Sequence, residues 1–251
     1  MAMTLKTRND RGPALLLIHG FPLDRRLWDA VVSKMPTTMT IFLPDLPGMG
    51  ESPADPKVRT IDDYARALLA LMDDRKVARF FVAGHSMGGY IALAMLRLAP
   101  ERISGIALVS SRALPDTEDG RKTREANAQR AEKEGPGFLV ATMPEKAVGK
   151  APPAGAIETL RTIMGASNGT GVAAALRAMA SRPDATPSLG SIACPAVVFA
   201  GRQDQIVPAA ESEAMAKAIP GAKLVWCETS GHVPMLEQPD LVARELAALV
   251  K

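Results

Sequence analysis

The chain has almost no surplus charge. Its 30 Lys and Arg against 27 Asp and Glu leave +3 over 251 residues, and the basic positions are scattered, not gathered into a stripe. Without such a footprint a nucleic-acid partner is not expected. No apolar run of about 18 residues occurs, so neither a spanning helix nor a membrane partner is expected. The segment Met1 to Arg11 is polar and lacks the apolar stretch of a secretory signal, which sets cytoplasmic residence as the expectation. Cysteine is nearly absent. Cys194 and Cys227 fall in or beside expected strands, where two reduced thiols are expected in place of a disulfide. With three histidines in the whole chain, the search for an imidazole base is short.

What is present is ordinary for a globular protein: 47% apolar and 23% charged residues, enough to bury one large core at this length. Short apolar runs alternate with helical patterns through the first half, the signature of parallel βαβ construction. Leu15 to His19, Thr40 to Leu43, Phe80 to Ala83 and Ile106 to Ser110 read as strands. Leu27 to Met35, Thr60 to about Arg75 and the segment from Met87 to Leu98 read as helices, the second with Asp62 and Asp63 in its first turn. The rhythm breaks from Arg112 to Ser191. Helices are expected there near Asp116 to Glu134, Gly137 to Thr142, Ala156 to Met164 and Val172 to Ala180. Strand Ala196 to Ala200, helix Ala209 to Ile219, strand Lys223 to Cys227 and a helix from about Asp240 then restore it. An all-helical block between two βα segments is explained by an insertion, residues 112–191, lying over a core made of 1–111 and 192–251.

The strongest local signal is Gly84-His85-Ser86-Met87-Gly88, a G-x-S-x-G pattern between an apolar strand and a helix. A glycine-rich turn can match it by chance, but this context is the one a nucleophilic serine needs. The tight turn thrusts the hydroxyl out at the strand's carboxyl end, where open α/β sheets place ligands. Serine needs a base within hydrogen-bond reach. His85 is aimed away by the turn, and His19 ends a strand in His19-Gly20-Phe21-Pro22. His232 lies on a loop after the last expected strand and is the best base, although a lone histidine is more often structural. Asp204, just after strand Ala196 to Ala200, is the acid expected to orient it; a plain turn aspartate is the bland alternative, with Asp116 a distant substitute. The backbone N–H groups of Met87 and Phe21 are the expected oxyanion donors, and Phe21, Met87 and Val233 the expected substrate contacts.

These pieces resemble the α/β-hydrolase superfamily, especially its small esterase, lactonase and haloperoxidase-like members. The resemblance rests on His19-Gly20-Phe21-Pro22 with Trp28, Asp45-Leu46-Pro47-Gly48-Met49-Gly50-Glu51-Ser52, the turn at Ser86, Asp204 to Pro208, and Gly231-His232 through Glu237-Gln238-Pro239. It implies a mostly parallel sheet flanked by helices, a helical cap inserted after Ile106 to Ser110, a pocket between cap and sheet, and no metal or organic cofactor. Serine at the turn argues against dehalogenases and epoxide hydrolases, which place aspartate there. With about fourteen residues before the first strong strand, the amino-terminal edge hairpin is expected to be short or missing.

The resulting expectation is an esterase for small or medium acyl groups, acting on a small-molecule ester or lactone. The alternatives are a lactonase resembling 3-oxoadipate enol-lactonase, a C–C hydrolase, a cofactor-free perhydrolase, or a receptor that keeps the fold without turnover. A cap rich in Ala, Met and Leu favours an apolar pocket, whereas a charged side chain in its wall would favour an acidic substrate.

Overall fold

The computed structural model describes residues 3–9 and 11–251. A seven-stranded sheet, in the order β1-β3-β2-β4-β5-β6-β7, forms its centre. The strands are β1 (Leu5–Arg8), β2 (Ala14–Ile18), β3 (Thr40–Pro44), β4 (Phe80–His85), β5 (Ile103–Val109), β6 (Ala196–Gly201) and β7 (Lys223–Cys227). All neighbouring pairs are parallel except β1, which runs antiparallel to β3 at the edge. Among the described residues one edge strand, β1, stands where a short or missing hairpin was expected.

The apolar runs serve both faces of this sheet. Leu16 and Ile18 of β2 join one core cluster, and Leu15 and Leu17 the other. Ile106 and Leu108 of β5 divide from Ala107 and Val109 in the same way. A strand covered on two sides gains nothing from polar alternation, which is why these segments read as continuous hydrophobic stretches. Helices α2 (Ile61–Asp74), α3 (Met87–Leu98) and α9 (Ala209–Ala218) supply the first cluster; α1 (Asp29–Lys34), the short α10 (Pro234–Glu237) and α11 (Pro239–Leu249) supply the second. The start of α2 is fixed by a capping box. The Thr60 hydroxyl accepts from the Asp63 N–H at 3.2 Å and the Asp63 carboxylate accepts from the Thr60 N–H at 3.0 Å, an arrangement worth about 1 kcal/mol.

Between β5 and β6 run α4 (Glu118–Glu134), α5 (Gly137–Thr142), α6 (Pro144–Ala147), α7 (Ala156–Gly165) and α8 (Gly169–Ala180). The α6 turn has no signal beyond Pro144 in the sequence. α8 begins three residues before the expected Val172, because the Asn168 side chain accepts from the Gly171 N–H at 2.7 Å and caps it. This block sits against the sheet domain through backbone contact: a Cβ built on Gly48, at φ 81°, would lie 2.3 Å from the Gly171 Cα. Glycine at both positions lets α8 rest on the loop after β3. The expected helix Leu27 to Met35 is instead a single turn at Arg25–Trp28 followed by α1; the Asp24 side chain caps the turn by accepting from the Arg26 N–H, so it opens two residues earlier than expected.

Candidate active site

Four loops at the carboxyl ends of β2, β4, β6 and β7 converge on one point. The turn between β4 and α3 puts Ser86 at φ 50°, a left-handed conformation that costs on the order of 1–3 kcal/mol. The surroundings hold it there. The Ser86 N–H donates to the Val109 carbonyl at 2.9 Å, and the Ser111 hydroxyl donates to the Ser86 carbonyl at 2.9 Å. The flanking glycines are needed because the turn is so tight: a Cβ on Gly84 would come within 2.1 Å of the Gly88 carbonyl oxygen, and one on Gly88 within 2.5 Å of the Ile18 carbonyl oxygen. Ser86 remains half-buried, facing a cavity of about 460 Å³ that Phe21, Ile206, Val207 and His232 also line.

Asp204 and His232 meet here despite lying 28 residues apart, with the His232 Nδ1 at 2.8 Å from the Asp204 Oδ2. The second carboxylate oxygen accepts from the N–H groups of Ile206 and Val207 at 2.8 and 2.9 Å. An ionised carboxylate only accepts, so the His232 proton sits on Nδ1 and Nε2 is left as an acceptor. The histidine loop is braced from two sides. Its own N–H donates to the Ala147 carbonyl at 2.7 Å, while the Glu237 carboxylate accepts from the Gly231 N–H at 2.8 Å and the Gly149 N–H at 2.6 Å. Burial, with Asp204 nearby, lifts the Glu237 pKa above the usual carboxylate range despite those bonds. Glu237 stands in a motif quoted above, yet its brace spans two distant loops, so the sequence carried no signal for it.

The other two histidines are committed elsewhere. The His85 Nε2–H donates to the His232 carbonyl at 2.8 Å, and the two rings lie 4.8 Å apart between centroids. Burial, then the His232 imidazole, pushes the His85 pKa well below normal, so a neutral ring backs His232. His19 donates from Nδ1 to the Gly20 carbonyl and accepts at Nε2 from the Leu46 N–H, both at 2.9 Å, and burial lowers its pKa as well. It ties the loop after β2 to the loop after β3. Asp116 is far from the role of substitute acid: its carboxylate is held by Arg124 and Arg182.

Of the expected substrate contacts, Phe21 lines the cavity. The Met87 and Val233 side chains are instead packed one into each core cluster and are absent from the cavity wall. For Met87 the reason is helix geometry: the first residue of α3 points its N–H out along the axis while its side chain turns sideways into the core. Among the described residues neither the Phe21 nor the Met87 N–H donates to another protein group.

Fold and site together define an α/β protein with serine, histidine and aspartate gathered at the carboxyl rim of a parallel sheet. The sequence model of the alpha/beta hydrolase family matches residues 15–245, and the chain belongs to that family of hydrolytic enzymes. A solved thermophilic esterase from Thermogutta terrifontis, with malate bound, superposes with a TM-score of 0.94 at 35% identity, covering 98% of this chain and 92% of that one. A pimeloyl-[acyl-carrier protein] methyl ester esterase from Chromobacterium violaceum is 30% identical over 94% of each chain. The dihydrolipoyllysine-residue acetyltransferase component of an acetoin cleaving system from Pseudomonas putida is 28% identical over 96% of this chain, which spans 64% of that protein's length. Among the described residues no helix is long and apolar enough to cross a membrane, and Cys194 and Cys227 are free thiols.

Proposed function

We propose that the protein is a carboxylic ester hydrolase for small or medium acyl groups, with Ser86 as nucleophile, His232 as base and Asp204 as the acid that orients it. The observation carrying this reading is the 2.8 Å contact between Asp204 and the histidine that lines the same cavity as Ser86. In acylation the Ser86 Oγ attacks the ester carbonyl carbon as its proton passes to the His232 Nε2. The oxyanion is received by the N–H groups of Phe21 and Met87, each worth roughly 3–4 kcal/mol in the transition state. Collapse breaks the bond to the alkoxy oxygen, which leaves as the alcohol with the proton from His232. A water then attacks the acyl-enzyme, gives its proton to His232, and the carboxylic acid departs as Ser86 is reprotonated. Asp204 steadies the imidazolium formed in each half.

In this reading residues 112–191 are a cap over a core formed by 1–111 and 192–251. Its cavity falls within the range of small-molecule sites. The relatives named as esterases support an ester, and two free thiols accord with residence in the cytoplasm.

The test is a fluorophosphonate probe together with short-chain p-nitrophenyl esters. Wild type is expected to label and to release nitrophenol, and Ser86→Ala to lose both. An unlabelled wild type would leave a receptor role, and faster turnover on lactones than on esters would make it a lactonase.

A further inference from the structure

The cavity wall contributed by the helical block is charged. Arg112, Asp116 and Arg124 line it together with Ser86 and His232. Asp116 is only 8% exposed and serves as an internal counterion. Arg124 bonds it through Nε, the Arg182 Nη1 lies at 2.9 Å, and the Arg112 Nη2 at 4.0 Å. Arg182 is 5% exposed and is fastened behind this wall: it donates to the carbonyls of Met179 and Leu114 at 2.8 and 2.9 Å, and its guanidinium lies 4.3 Å over the Tyr90 ring. Arg112 also faces Glu211 at 3.3 Å.

Three guanidinium groups against two carboxylates leave one positive charge over. Donors are left over too. The Arg112 Nε is buried with no hydrogen-bond partner, and the Arg124 Nη1 meets only the Met179 sulfur at 3.5 Å, a weak acceptor. A buried guanidinium N–H without an acceptor is costly, and the half-buried Arg124 still has an Nη1 without an oxygen acceptor, so the wall is short of one anionic ligand. Thr123 and Asn127, which line the same wall, add neutral polar groups beside the arginines.

We propose that this wall is a carboxylate subsite, and that the esters cleaved at Ser86 carry one free carboxylate held by Arg112 and Arg124. The inference rests on the reading of Ser86 given above. It selects a carboxylate over a phosphate because the surplus is a single charge; a dianion would leave uncompensated negative charge in a confined cavity. It also gives Asp116 a purpose, since one carboxylate shared among three arginines keeps them side by side without satisfying all their donors.

The test compares esters that differ only by carboxylate for methyl: monoethyl adipate against ethyl hexanoate, and the acetate ester of γ-hydroxybutyrate against butyl acetate. In at least one pair the acidic ester is expected to have a kcat/KM about tenfold to a hundredfold higher, the range of one charge-assisted contact. In Arg124→Gln and Arg112→Gln that ratio should fall toward unity, mainly through KM. If either variant is misfolded by circular dichroism, the wild type still decides: its preference for the acidic ester should shrink as salt rises, while turnover of the neutral ester should hardly change. Equal or faster turnover of the neutral ester in both pairs, or an acidic preference that does not respond to salt, would overturn the subsite. Loss of all turnover in Ser86→Ala with no acidic preference would sink this inference alone; turnover surviving in Ser86→Ala would sink the reading beneath it.

Discussion

Replacing Asp204 with asparagine isolates the geometry of the site with little change in volume. Two amide orientations are available. In one, the amide oxygen keeps the bonds from the Ile206 and Val207 N–H groups and the NH₂ faces His232 at the position of the present 2.8 Å contact. In the other, the NH₂ is turned toward two N–H donors, leaving both without an acceptor at about 1–3 kcal/mol each. The first therefore wins by about 2 kcal/mol or more. It forces the His232 proton from Nδ1 to Nε2, so the nitrogen that should take the serine proton already carries one. The rate loss for a histidine held in the wrong tautomer is about 10⁴, or roughly 5.5 kcal/mol of barrier. Because both backbone bonds survive, folding stability should change by no more than about 1 kcal/mol, seen as a Tm shift of roughly 2–4 °C. The assay is kcat on p-nitrophenyl butyrate beside a thermal melt. A folded Asp204→Asn protein within tenfold of wild-type kcat would refute the assignment of Asp204 as the orienting acid.

Two further outcomes follow from burial. His19 and His85 both have folded-state pKa values below the ordinary 6.5, so their neutral forms stabilise the fold above that pH and the benefit is lost as pH falls. Between about pH 6.5 and 5 urea stability should drop by up to about 1.4 kcal/mol per pH unit for each histidine. Glu237, whose pKa is raised, works with the opposite sign and offsets part of it. A urea midpoint independent of pH in that window would show that the two rings are not buried neutral. Burial, with Glu237 and Glu228 nearby, pushes the Cys227 thiol up to about 12, whereas Cys194 is half-buried. Iodoacetamide at neutral pH should therefore modify Cys194 first and leave Cys227 intact until unfolding, as peptide mass mapping would read. Equal labelling of both in the native protein would contradict the packing around β7.

Much of the fold was legible because parallel strands leave an unmistakable trace. Leu15-Leu16-Leu17-Ile18 is apolar at every position since both faces are covered, and Pro100 marks where α3 ends. The polar segment before β2 hid its single strand, because β1 lies at the sheet edge where Lys6 and Thr7 are exposed and no apolar run is required. The turn at Arg25–Trp28 was hidden for a different reason: it runs directly into α1 at Asp29, and its start is set by the Asp24 side chain, which accepts from the Arg26 N–H.

The sequence alone determined the order of chemistry-bearing turns, because steric rules at a strand end are local: glycine at 84 and 88 is required by neighbours within a few residues or on the adjacent strand. It also limited the imidazoles to three. Only the tertiary structure decided which surfaces those turns share. The brace from Glu237 to Gly149, the neutral His85 behind His232, and the arginines gathered around Asp116 join residues from well-separated segments, and no local pattern requires such contacts. Hydrophobic periodicity fixes which face of a helix is buried, but the partners across that face depend on how helices from distant segments pack, and so the wall that bears on substrate choice became visible only in three dimensions.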